Sequence, residues 1–171
     1  PVEQISDTPA YRRIAEHGGS TASQMHTFGM HVHVGVPSRQ AAVRAMLGVV
    51  PFLPHLIALA ASSPFHRGED TGYSSYRMVL RDNHPRVGPP LPVASVAEYD
   101  ELVRILGGED HGSPLSWDVR PSGAFPTLEF RVMDVSPWLD TVALLAAMAR
   151  ALTAMFADRP VPAPTAIEQQ L

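Results

Sequence analysis

The sequence predicts an α+β fold, an antiparallel sheet with helices packed on one of its faces. Phe28 to Val36 and Pro126 to Asp134 both alternate apolar and polar residues, the period of a strand. A third strand-like stretch, Ser116 to Pro121, is joined to the last by only a short Ser-Gly-Ala-Phe turn, so those two are expected to pair as a hairpin. Capped apolar runs between and after these strands are long enough to be helices.

Taken in order, Tyr11 to His17 is a short helical candidate that Gly18-Gly19 would end. In Phe28 to Val36, one side carries Met30, Val32, Val34 and Val36, and the other carries His31, His33 and Gly35. Pro37-Ser38 closes the strand, and Ser38 can cap a helix over roughly Arg39 to Ala61. Its apolar part, Ala45 to Ala61, just reaches the length of a membrane span, but Pro51, Pro54 and His55 make it read as a buried, kinked helix. Ser62 to Tyr76 is polar and turn-rich, and Asp82 to Val93, with four prolines and a glycine, is a loop. Ser95 is expected to cap a helix over Val96 to Leu106, stopped by Gly107-Gly108. After the hairpin, a final Ala/Leu-rich helix spans about Trp138 to Ala157. Residues 1–157 thus read as one partial domain, and 158–171 as a proline-rich extended tail.

Composition narrows the chemistry. The 171 residues carry 13 basic against 17 acidic side chains, a net charge of −4, and every basic residue is Arg. Without Lys, Schiff-base and phosphate-loop lysine chemistry are excluded, and a general nucleic-acid binder is not expected. Without Cys, thiolate nucleophiles and Cys-based zinc sites are excluded too. No basic start with an apolar centre precedes Ala10, so no signal peptide is read there; the expectation is a cytoplasmic protein without a membrane partner.

The polar sides of the strands are unusual. An ordinary solvated face carries Thr, Ser, Lys and Glu, whereas here it carries His31, His33, Asp118, Arg120, Glu129 and Arg131. In the last strand Leu128, Phe130 and Val132 are expected on one side, with Thr127, Glu129, Arg131 and Met133 on the other. His31 and His33 have roots about 6.5–7 Å apart on one face. Such a pair serves either as hydrogen-bonded histidines at a strand end or as ligands converging on one ion, and imidazole preference alone would suggest zinc. Glu129 and Arg131 repeat the same spacing, either as a plain ion pair or as a rigid metal or phosphate site. Arg120, Arg77 and Arg67 can add bidentate anion contacts.

Three segments, GMHVHVGV (Gly29 to Val36), SPFHRGEDTGYSSYR (Ser63 to Arg77) and WDVRPSGAFPTLEFRVMD (Trp117 to Asp134), resemble the glutamate–cysteine ligase type 2 family. These are carboxylate–amine ligases with the glutamine synthetase fold, and order and spacing match over roughly Tyr11 to Ala157. The resemblance implies ATP-dependent amide formation: ATP phosphorylates a carboxylate such as glutamate's, and an amine such as cysteine's attacks the acyl phosphate. It implies Mg²⁺ or Mn²⁺ in place of zinc, with His31 and Glu129 as metal ligands. It further implies His33, Arg120 and Arg131 as ATP phosphate contacts, Arg131 and Arg120 as catalytic residues, and Arg77 and Tyr73 as substrate contacts. On this reading Glu129→Gln should abolish turnover and leave the fold intact.

The chain departs from the family in having no Glu-x-Glu acidic cluster, so it reads as the central portion of a longer ligase. A homo-oligomer or a complementing chain segment is then expected to complete the sheet. Three alternatives remain at this level. They are a non-catalytic subunit of such a ligase, a guanidino kinase of the same broad fold, and a His-x-His metal hydrolase, although a hydrolase barrel needs more βα units than 171 residues hold.

Overall fold

A computed structural model describes Thr8, Arg12 and residues 27–83, 86–107 and 115–159. The helical candidate at Tyr11 to His17 and all but the start of the proline-rich tail lie outside the described residues. Strand β1 (Gly29–Gly35) leads into helix α1 (Arg39–Val49), a 3₁₀ turn (Val50–Phe52) and helix α2 (Leu53–Ala60). A short hairpin follows, β2 (Phe65–His66) and β3 (Glu69–Asp70), then α3 (Tyr76–Asp82), β4 (Val87–Gly88) and α4 (Val96–Gly107). The chain closes with β5 (Ser116–Trp117), β6 (Val119–Pro121), β7 (Thr127–Asp134) and α5 (Leu139–Ala157).

The main sheet has the order β1-β7-β6, antiparallel throughout, so the α+β expectation holds. Its apolar face is fully buried at Val119, Leu128, Phe130, Val132 and Met133. Helices α1, α2 and α5 cover that face with Val43, Met46, Val49, Leu56 and Leu145. Fully burying one such side chain contributes about 1.5–3 kcal/mol, so this layer is the principal core.

The caps form where the sequence placed them. Ser38 accepts the Ala41 amide at 3.1 Å. Ser95 accepts the Glu98 amide at 3.1 Å, while Glu98 reaches back to the Ala94 amide at 2.7 Å, a reciprocal cap. The expected kink is a 3₁₀ turn holding Pro51, and Pro54 lies in the first turn of α2, where its missing N–H costs nothing.

Four features differ from the sequence expectation. Helix α3 forms just after the turn-rich segment, too short for readable periodicity. Within that segment, Arg67 and Gly68 both take positive φ (51° and 84°), which closes the β2–β3 hairpin. The expected strand over Ser116 to Pro121 divides at Asp118. β5 pairs in parallel with β4, inside the stretch read as a loop, while β6 joins the main sheet. Finally, β7 carries a bulge: between the pairs Met30↔Met133 and Val32↔Phe130, Arg131 and Val132 together oppose His31. The bulge shifts the alternation, so Met133 is fully buried in the core, not on the polar face as strict alternation requires.

Candidate functional site: a carboxylate held by two arginines and two histidines

The polar face of the three strands gathers its charged residues around Glu129. Register explains why: His33 and Arg120 are the direct cross-strand partners of Glu129, one on each side, and His31 and Arg131 follow at two-residue steps. Glu129 Oε1 accepts from Arg131 Nη1 at 2.6 Å and lies 3.1 Å from His31 Nδ1 and 3.7 Å from His33 Nε2. Its Oε2 accepts from Arg120 Nε at 2.9 Å. Arg120 also donates to the Leu115 carbonyl, which fixes its fork.

The Glu129 side chain is 7% exposed and those of His31 and His33 are 37% and 39% exposed, so a buried carboxylate sits beneath a half-open imidazole rim. Burial alone would push the Glu129 carboxyl up. The His31 hydrogen bond and the charges of Arg120 and Arg131 together outweigh it, and hold the group well below the usual carboxylate range. Arg131 is shifted down, first by its own burial and then by the Arg120 charge. Two guanidiniums against one carboxylate leave a net positive charge of one, even with both histidines neutral.

Arg131 Nε, like Arg77 Nε, is buried without a hydrogen-bond partner among the described residues. A buried donor left unpaired costs about 1–3 kcal/mol. His33 Nδ1 lies 2.9 Å from Thr127 Oγ1, and the ring stands edge-on to Phe125, centroids 6.4 Å apart. With the threonine hydroxyl donating to Nδ1, the Nε2–H faces Glu129 and the open side of the cluster. The donor set therefore suits an oxyanion such as a phosphate.

A metal centre is less well provided for. Among the described residues, no group of three His, Cys, Asp or Glu side chains is placed to hold a metal ion. His31 and Glu129 offer two donors, and both oxygens of Glu129 already bind arginine, whereas Mg²⁺ takes about six mostly oxygen ligands. The described residues do not by themselves make the metal site that the resemblance implies. Among the described residues, the carboxylate beside the His-x-His pair is Glu129, whose two oxygens are already taken by arginine.

Of the other sequence candidates, Arg77 meets this cluster only through the backbone of Arg131, and among the described residues no contact joins Tyr73 or Arg67 to it. Arg77 is 6% exposed and donates through Nη2 to the Arg131 carbonyl (2.9 Å) and through Nη1 to the Val132 carbonyl (3.2 Å). Tyr73 is 55% exposed, with its ring 6.0 Å from that of Tyr76, and Arg67 is exposed at the hairpin turn. A cavity of about 260 Å³ opens at the Gly29 end of the sheet, lined by Phe28, Ser63, His66, Tyr76 and Arg77 among others, but by none of the Glu129 cluster. Asp118, expected on the polar face, is buried and bonded to Arg81 Nη1 at 2.5 Å. Arg81 was not singled out from sequence; no local pattern pairs it with a carboxylate 37 residues away.

Fold and cluster together define an α+β protein whose antiparallel sheet holds a buried carboxylate between two arginines and beside two histidines. The model of glutamate-cysteine ligase family 2 matches residues 1–169, and the chain belongs to that family. It is 48% identical over 140 residues to a Ruegeria pomeroyi protein and 43% identical over 153 residues to one from Jannaschia, each named "Putative glutamate--cysteine ligase 2". The matches cover 80% and 88% of this chain and 36% and 40% of those relatives. A Mycolicibacterium smegmatis relative is 44% identical over 162 residues, covering 91% of this chain and 44% of its own length. The chain thus spans less than half the length of these relatives.

Proposed function

We propose that this chain is the phosphate-handling part of an ATP-dependent carboxylate–amine ligase that joins glutamate, or a similar carboxylate, to an amine such as cysteine. The observation that carries the reading is the surplus positive charge of Arg120 and Arg131 over Glu129 beneath the half-exposed His31 and His33. Family membership supports it. ATP, when bound, supplies the phosphoryl group that activates the carboxylate.

The chain's own residues position and neutralise charge, which is most of what phosphoryl transfer asks of a protein. Arg131, with Nη1 on Glu129, turns the partly exposed remainder of its guanidinium to a phosphate oxygen. Arg120, held by Glu129 and Leu115, keeps the second guanidinium in place. His33 offers Nε2–H at the rim, and Glu129 holds both arginines in one geometry. Mg²⁺ or Mn²⁺ enters the proposal only with ligands from beyond the described residues, so no step here runs through it. The expected setting is cytoplasmic, with a second copy or a further segment completing the sheet.

The two-donor metal set also supports a second reading, a non-catalytic segment that binds nucleotide and completes an active partner. One assay separates them. The chain, and the longest protein its gene encodes, are incubated with ATP, Mg²⁺, glutamate and cysteine while ADP is measured. The ligase reading expects ADP release that requires both amino acids and falls about 10²–10³-fold in Arg131→Ala. Nucleotide binding without turnover in either protein supports the second reading, and ADP release indifferent to the amine contradicts the first.

A further inference from the structure

We propose that Arg77 is a positioning residue, clamping the β7 bulge so that Arg131 is aimed at Glu129 and the anion. The proposal rests on the anion-site reading above. A bulge disrupts its ladder locally, and a flexible one would let the bulged side chains swing. Here the two bulged residues, Arg131 and Val132, give both their carbonyl oxygens to one guanidinium. The Arg131 amide is tied on the other side to the Asp118 carbonyl at 2.8 Å, so the backbone of Arg131 is held from both directions.

Arg77 is fixed in turn. Its backbone amide donates to Ser63 Oγ at 3.1 Å, and Ser63 Oγ donates to Asp134 at 2.7 Å. Asp134, 2% exposed, also accepts the Ser62 amide and the Ser75 hydroxyl. The guanidinium lies flat against Gly29: a Cβ there would fall 2.2 Å from Nη2 and 2.7 Å from Nε. Glycine is required at this point by the approach of Arg77. Each terminal nitrogen gives one N–H to the bulge and has a second, and Arg77 also lines the cavity at the Gly29 end of the sheet, so the clamp and the substrate contact that the resemblance implies are compatible.

The test uses the 171-residue chain, tripolyphosphate as the anion and Arg77→Lys, whose compact ammonium lacks the planar fork that meets both carbonyls. The expected result is about tenfold weaker binding in the wild-type background and less than about twofold in Arg131→Ala, a coupling that contact-sharing residues show. Equal weakening in both backgrounds, or none in either, overturns the proposal. Gly29→Ala, which displaces Arg77 without changing charge, serves as the second variant and should reproduce the coupling. The Arg131 Nε–H proton signal, read by NMR without ligand, gives a readout that a purely structural role would leave in place. It should shift or broaden in Arg77→Lys, and an unchanged signal refutes the positioning role. Should the wild-type chain fail to bind tripolyphosphate, the anion-site reading fails, while the NMR signal still decides whether Arg77 orients Arg131.

Discussion

Replacing Glu129 by Gln perturbs the centre of the cluster without changing its volume. In the native protein the carboxylate accepts from Arg131 and Arg120 at 2.6 and 2.9 Å, and those guanidinium side chains are 17% and 11% exposed. Gln keeps one acceptor oxygen but turns an NH₂ toward a guanidinium, and leaves two largely buried cations beside one another with no anion in the cluster. Stranding a buried charge costs about 3–5 kcal/mol. The remaining acceptor and the partial exposure of Arg131 put the expected loss near the low end, about 3 kcal/mol. For a chain of this size that lowers Tm by roughly 6–12 °C. The sequence alone leads one to expect that the exchange spares the fold; the two arginines that Glu129 balances argue for a measurable loss. Thermal and urea unfolding of wild type, Glu129→Gln, Arg131→Met and the double variant measure the effect. The double variant should recover at least about 1 kcal/mol relative to additivity. A Tm within about 2 °C of wild type in Glu129→Gln would refute the counter-ion role.

The depressed Glu129 carboxyl also sets a pH dependence: its contribution is fully present above its ordinary value of 4.5 and is lost as pH falls below that toward the folded-state value. Urea midpoints taken on an acid series should fall more steeply for wild type than for Glu129→Gln; parallel curves would contradict the coupling. Among the described residues β1 pairs with β7 alone, which leaves its other edge open to a further strand. Sedimentation should therefore show a species heavier than 18.5 kDa, and a cooperative monomer would show that the open edge needs no partner. Gly48→Ala would set a Cβ 2.3 Å from the Phe156 ring at the α1–α5 crossing, so a loss of about 1–3 kcal/mol is expected in chemical denaturation.

Much of the site was legible because strand alternation needs only local sequence. His31, His33, Glu129 and Arg131 share a face by simple period-two counting, and the short turn before Thr127 announces the hairpin that brings Arg120 beside Glu129. Ser38 and Ser95 gave the helix starts for the same local reason. What escaped was long-range or period-breaking. The parallel β4–β5 pair depends on a tertiary contact between Val87 and Ser116 that neither segment signals. The Arg81–Asp118 pair joins a seven-residue helix to a residue between two strands. The bulge had one trace, the run Val132-Met133 followed by Asp134, where two apolar residues in succession break the alternation. Arg77 is legible as a charged residue near the motif, but only the bulge shows that its guanidinium serves backbone carbonyls.

The claim that the Glu129 cluster is an anion site is tested most directly by calorimetric titration of the metal-free 171-residue chain with tripolyphosphate. Saturable binding is expected, weakening as salt rises and falling at least about tenfold in Arg131→Ala, in line with the loss of a charge-assisted hydrogen bond. Absence of binding, or binding that Arg131→Ala leaves unchanged, would contradict the account.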